Sequence, residues 1–184
     1  MSDFLRTLLV FFAAINPAAV WLAVGARVEG QPHRLATAGT AAVVAGLIVV
    51  VGAVGSAAAL NALDVEPETF RTSAGIVMAS MGVQAIWRAD IPYDTEQSWK
   101  DGIFPVGIPI IAGPAMIVAA VTYADYTGTW QTVTGGLVIV LASAAAVAWL
   151  PRRLDVAYEI VARLSGALLI VFAVAIVVSG VKDV

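Results

Sequence analysis

The sequence predicts an all-α membrane protein of six transmembrane helices, arranged as two inverted three-helix repeats with the first and fourth helices discontinuous. Three observations predict it. Of the 184 residues, 60% are hydrophobic and 12% charged, with a mean hydropathy of +0.92, whereas a soluble domain holds roughly 45–50% apolar and about 25% charged residues. The apolar residues gather into six runs, each near the roughly 20 residues that cross a hydrocarbon core. Two of these runs, one in each half, are broken by proline at similar depth: Asn16-Pro17 in the first, and Ile108-Pro109-Ile110-Ile111-Ala112-Gly113-Pro114 in the fourth.

The first span covers 4–26. It reads as a span rather than a cleaved signal, because Asp3 precedes Arg6 and the apolar run continues past Asn16-Pro17 without a cleavage site. Asn16 suits the N-cap of a half-helix that begins at Pro17, where the missing N–H costs nothing. The loop 28–34 contains Gly30 and Pro32, which end the helix. The second span, 35–60, repeats Ala38, Ala42 and Gly46 every fourth residue, a face that admits a neighbouring helix closely. An acidic loop, 61–68, contains Pro67 and leads to the third span, 70–88. There Gly75, Ala79 and Gly82 share one face, and Ser73, Ser80 and Gln84 another. A helix small on one side and polar on the other is expected not to face lipid. Its polar face serves interhelical hydrogen bonds or substrate contact, and both readings stay open.

The loop 88–101 mixes Arg88, Asp90, Asp94, Glu96, Lys100 and Asp101 with Trp87, Tyr93 and Trp99, as at a membrane–water interface. It divides the chain into a first repeat, 1–90, a cytoplasmic linker, 91–101, and a second repeat, 102–184. The fourth span, 102–124, breaks near Gly113, with a new half-helix starting at Pro114. An aromatic turn holds Tyr123, Tyr126 and Trp130. The fifth span, 131–150, ends at Pro151-Arg152-Arg153, and the sixth, 156–180, opens with Tyr158, Glu159 and Arg163. The halves match coarsely through Arg71…Gly75 and Arg163…Gly166. Three spans per half make the halves insert in opposite senses, which is an inverted repeat.

Composition also excludes. A net charge of -3 and a pI near 5.0 exclude a basic nucleic-acid surface. There is no cysteine, and His33 stands alone in a loop, so no disulfide, metal or cofactor is expected. No GxxxxGK[ST] loop is present. No Asp, Glu, Lys or His falls at mid-membrane, and no nucleophile meets a base, so an enzyme is not expected. Arg27, Arg34, Arg88, Lys100, Arg152, Arg153 and Arg163 fall to one side, and Arg6, Arg71 and Lys182 to the other. The positive-inside rule then puts both termini outside the cell.

Two interrupted spans in corresponding places point to a transporter with its site at the repeat interface. Without a central charge, a neutral zwitterion fits better than an ion. Its carboxylate could meet N–H groups near Ala18-Ala19 and Ala115-Met116, at the positive ends of half-helices. Its ammonium could meet carbonyls freed by Pro17, Pro109 and Pro114, helped by the Asn16 side chain. The candidate binding residues are Asn16, Pro17, Ala18, Ala19, Ala112, Gly113, Pro114, Ala115, Ser80 and Gln84. Against this stands a packing role for the same small residues, and with it a non-transporting structural or assembly membrane protein.

Asn16-Pro17 in an apolar first span, followed by Phe104-Pro105 and Ile108-Pro109-Ile110-Ile111-Ala112-Gly113-Pro114 in the fourth, resembles the MarC family of bacterial and archaeal membrane proteins. The likeness runs over nearly the whole chain. It implies a multi-pass protein of the prokaryotic inner (plasma) membrane. Some family members are described as neutral amino acid transporters. The resemblance thus implies a secondary transporter of small neutral amino acids, glycine- or alanine-like. Its partners would be that amino acid, a coupling ion (H+ or Na+), the lipid bilayer and a second copy of the chain in a homo-oligomer. Where the family usually has glycine two residues after the first proline and directly after the second Gly-Pro, this chain has Ala19 and Ala115. A usual proline is Leu22, and a usual hydroxyl residue is Val118.

Overall fold

Proline and glycine set most of the boundaries in the computed structural model, which describes residues 2–25, 27–88, 96–150 and 155–182. Helix α1 (Asp3–Ile15) opens at Ser2, whose hydroxyl accepts the Leu5 N–H, and stops at Asn16. Helix α2 (Pro17–Val20) continues into a wider π-turn, Trp21–Gly25. Helix α3 (Gln31–Val54) has Pro32 in its first turn, and α4 (Ser56–Ala62) follows Gly55. Helix α5 (Pro67–Trp87) starts on a proline. A 3₁₀ turn, Trp99–Gly102, and a π-wound segment, Ile103–Ile111, lead to α6 (Pro114–Tyr126), α7 (Thr129–Trp149) and α8 (Asp155–Lys182). Every regular element among the described residues is helical. The sequence features Asp90, Tyr93 and Asp94, the 91–95 part of the 91–101 linker, and Pro151-Arg152-Arg153 lie outside the described residues.

Among the described residues, four helices are long and apolar enough to cross a membrane: Asp3–Gly25, Gln31–Val54, Thr129–Trp149 and Val156–Lys182. The pair Trp99–Ile111 and Pro114–Tyr126, bent by 63°, makes a fifth if it is one span. The segment expected as the third span is helix α5, which is not among them. Glu68, Arg71 and its Ser, Thr and Gln residues lower its hydropathy. Outward faces elsewhere are aliphatic: Val43, Leu47 and Val51 on α3, Leu141 on α7, and Leu164, Val171 and Val174 on α8. In water such a surface would drive association; against lipid it is satisfied.

Helices α5 and α8 run antiparallel with their backbones touching. A Cβ placed on Gly75 would lie 2.8 Å from the Ala173 carbonyl, one on Gly82 2.8 Å from the Gly166 carbonyl, and one on Gly166 2.8 Å from the Gly82 carbonyl. The small face expected on 70–88 is therefore the seat of α8. Among the described residues, the two serines of its polar face make no bond to another helix. Ser73 and Ser80 are exposed, and their hydroxyls donate to Thr69 O (3.2 Å) and Ile76 O (2.9 Å) of their own helix. A hydroxyl bonded one turn back needs no neighbour, so this side of α5 can face outward.

Helix α3 packs against α7, with Gly46 under Leu137 and Gly136 under Val49. One apolar core, including Phe11, Val49, Met78, Met116, Ile139 and Phe172, joins α1, α3, α5, α6, α7 and α8. At one end of the bundle the start of α1 meets the end of α6 and the start of α5, through Arg6 Nη1 to Tyr126 Oη (2.8 Å) and Arg71 to Asp125 (2.8 Å). At the other end Gln97 Nε2 donates to Arg27 O (3.1 Å), Gln31 Nε2 to Ala148 O (3.0 Å) and Arg34 Nη2 to Leu150 O (3.1 Å).

Candidate functional site

The first break is built on Asn16. Its backbone is left-handed, φ 53° and ψ 72°, a region that asparagine tolerates better than most residues. Its N–H closes α1 onto Phe12 O at 2.9 Å. Its Oδ1 accepts the Ala19 N–H at 3.2 Å, so it is the N-cap of α2. Its Nδ2 donates to Ala162 O of α8 at 2.8 Å. One end of the amide thus caps α2 and the other fixes the break to α8. Ala18 and Ala19 pack with Ala162, and the Trp21 ring lies 4.1 Å from that of Tyr158.

The second break is wider than the interruption expected near Gly113. Phe104 and Ile108 are extended, each before a proline, with cis bonds to Pro105 and Pro109. A residue preceding proline is driven out of the helical region, so two prolines four apart unwind two places. Between them the winding is loose, with the Ala112 N–H on Gly107 O at 2.9 Å. In that spacing the Pro109 carbonyl would need the N–H of residue 114, which is proline. Gly102 and Gly107 let the segment lie on α3: a Cβ would come within 2.5 Å of Thr37 O at the first and 3.0 Å of Val44 at the second. Gly113 is extended, and Pro114 opens α6.

The two breaks line one cavity of about 160 Å³. Of the candidate residues, Asn16, Ala19, Gln84, Gly113 and Ala115 are on its wall. Pro17, Ala18, Ala112, Pro114 and Ser80 are not among the lining residues. Ala18 is turned to α8, Ala112 is buried in the core, and Pro114 is exposed at the start of α6. Ser80 sits about 40° round the helix from Gln84 by its spacing; the long amide reaches the cavity while the short hydroxyl is bonded to Ile76 O. Sequence reasoning missed Met81, Ala85 and Arg88, which line the cavity with Gln84. Their offsets of three, four and seven mark one helical stripe. That periodicity was the available signal, but Arg88 reads from sequence as a loop charge. A buried cavity near 150 Å³ holds benzene, which has as many heavy atoms as alanine.

The end of the bundle that holds the start of α1 is closed. Arg6 and Arg71 both approach the Tyr126 ring, at 4.8 and 5.6 Å from its centroid, and the hydroxyls of Thr7 and Thr127 meet at 3.2 Å. Beneath them the Thr122 hydroxyl is buried with no partner among the described residues and the buried Tyr123 hydroxyl lies near the Arg6 guanidinium, beside a pocket of about 10 Å³, room for at most one water. Arg88 lies at the opposite end of α5 from Arg71 and is exposed, so the cavity reaches from mid-depth, at Leu169 of α8, toward the other face.

The sequence model of the family described as MarC family integral membrane protein matches residues 1–184. No curated protein and no solved structure matches the chain.

Proposed function

The chain belongs to the MarC family of integral membrane proteins, and from that premise we propose that it is a secondary transporter of small neutral amino acids, glycine- or alanine-like. The substrate sits between the two broken helices, and the protein performs no covalent chemistry on it. The observation that carries the reading is the shared cavity: two separate chain breaks, each costly inside a bilayer, contribute Asn16, Ala19, Gly113 and Ala115 to one space of about 160 Å³. Irregular backbone at membrane depth is tolerated where it is buried in protein or lines a cavity.

The proposed architecture is six spans in two inverted repeats, 1–90 and 102–184. Reciprocal contacts support it. Gly75 meets Ala173 and Val177, while Gly166 meets Gly82 and Ile86. One fixed offset in numbering carries the first set onto the second, as a two-fold relation between halves requires. Orientation rests on charge. Arg27, Arg34, Arg88 and Lys100 gather toward one end and Arg6 and Arg71 at the other, so the first end is cytoplasmic and both termini lie outside. In the prokaryotic plasma membrane, the cavity would then communicate with the cytoplasm, and the Arg6–Tyr126 and Arg71–Asp125 contacts would close the outer side. Moving substrate requires that closure to alternate, coupled to H+ or Na+.

Purified protein in proteoliposomes, given labelled glycine, alanine and larger neutral amino acids under imposed H+ or Na+ gradients, tests the function. Accumulation of the small members that collapses with the gradient supports it. A flat response across the panel from correctly assembled protein rejects it. The structural or assembly reading would then lead, favoured by the Asn16 amide, whose oxygen and nitrogen both bond within the protein.

A further inference from the structure

Helix α5 presents a stripe of four side chains to the cavity: Met81, Gln84, Ala85 and Arg88. Two of these are polar, and neither the Gln84 amide nor the Arg88 guanidinium bonds to any described residue. Arg88 is the one ionised side chain among the described lining residues. The Asn16 amide, by contrast, is already held by Ala19 and Ala162. Across the cavity the Pro109 carbonyl faces Gly113, where an added Cβ would lie 3.0 Å from its oxygen. Pro114 has no N–H to offer that carbonyl. The cavity therefore has donors in search of an acceptor on α5 and a bare acceptor at the second break.

We propose that Arg88, assisted by Gln84, is the carboxylate anchor of the cavity, and that the Pro109 carbonyl beside Gly113 receives the ammonium. This rests on the transport reading and narrows its substrate. The ligand must carry a carboxylate and a cationic amine close together, as an α-amino acid does. A guanidinium binds a carboxylate through two parallel hydrogen bonds, which fixes orientation as well as charge. Recognition by the starts of the half-helices, through N–H groups near Ala19 and Ala115, would supply no such charge. The rival account of Arg88 is local. It ends α5, where a cation complements the helix dipole, and a long basic side chain there can reach the membrane surface. That role predicts an effect on insertion or stability and none on ligand selectivity, so selectivity is the discriminating readout.

The test is competition against labelled alanine binding to the purified full-length protein, with glycine, alanine, alaninamide and propionate as competitors. Wild type should bind alanine and discriminate strongly against alaninamide, which lacks the carboxylate. Arg88→Gln should weaken alanine binding by roughly ten- to a hundredfold, the range for losing a hydrogen bond to a charged group. Its preference for alanine over alaninamide should collapse. Arg88→Lys, which keeps the charge and loses the fork, should fall between the two and carries the test if the Gln variant does not assemble. Wild-type affinity and selectivity in both variants would overturn the anchor while leaving the transport reading standing. Failure of wild type to bind any amino acid would overturn the transport reading, and the anchor with it.

Discussion

Asn16 holds a left-handed backbone and two hydrogen bonds at once, so three substitutions separate those contributions. Asn16→Ala orphans the Ala19 N–H and removes the second hydrogen bond of the Ala162 carbonyl, which Asn16 now meets at 3.2 and 2.8 Å. Hydrogen bonds within membrane proteins average about 0.6 kcal/mol with a maximum near 1.7, so the pair accounts for about 1–3 kcal/mol. Alanine at φ 53° adds about 1–2 kcal/mol of backbone strain, for a total of about 2–5. Asn16→Gly loses the same bonds without the strain and should sit about 1 kcal/mol or more above Ala. Asn16→Asp keeps the cap but sets a carboxylate oxygen against the Ala162 carbonyl, and should be at least as unstable as Ala. Thermal unfolding in detergent, followed by circular dichroism, gives the order wild type, Gly, then Ala and Asp. Glycine no better than alanine would refute the backbone argument, and an alanine variant as stable as wild type would refute the hydrogen-bond argument.

Three further outcomes follow from the geometry. Gly82→Val and Gly166→Val should each destabilise the protein by about 1–3 kcal/mol, because each Cβ falls 2.8 Å from the other glycine's carbonyl; thermal unfolding checks this, and the double variant should be less harmful than the sum, since the first separation relieves the second. Gly113→Leu should abolish uptake in proteoliposomes while Leu141→Val, at an outward position on α7, leaves it unchanged; equal activity in the two would make the second break a packing feature. Arg71→Ala with Asp125→Ala should raise labelling of a cysteine at Thr122, now buried beneath those side chains, from the face that carries the start of α1; unchanged labelling would show that the pair does not close the cavity.

The order of helices was legible because proline and glycine act locally. Pro32, Pro67 and Pro114 each open a helix, and Asn16-Pro17 breaks one. The small face of α5 was legible for the same reason: Gly75 and Gly82 are seven apart and can only share a side. What that face packs against depends on α8, some ninety residues on, and on contacts too short for any Cβ. Of the polar face, Gln84 reaches the cavity while the two serines do not reach a neighbouring helix, because a serine's destination is undetermined by its position on a helical wheel. Ser80 had its own carbonyl within reach and took it.

Arg88 marks the other boundary of such reading. A basic residue after an apolar run normally belongs to the membrane surface, and nothing in its neighbours along the chain says otherwise. It lines the cavity only because three distant features converge. The second break bends the chain by 63°, bringing Pro109 and Gly113 to the site. Asn16 holds the first break against α8. The Gly82–Gly166 contact holds the last turns of α5 against the same helix. Each feature was visible alone in the sequence. Their common dependence on α8 was not, and it makes α8 the support on which both the first break and the proposed carboxylate anchor are aligned. A shift of α8 relative to α5 would therefore move Asn16, held by α8, relative to Arg88 at the end of α5, which couples the spacing of the proposed binding groups to any rearrangement that opens the far end.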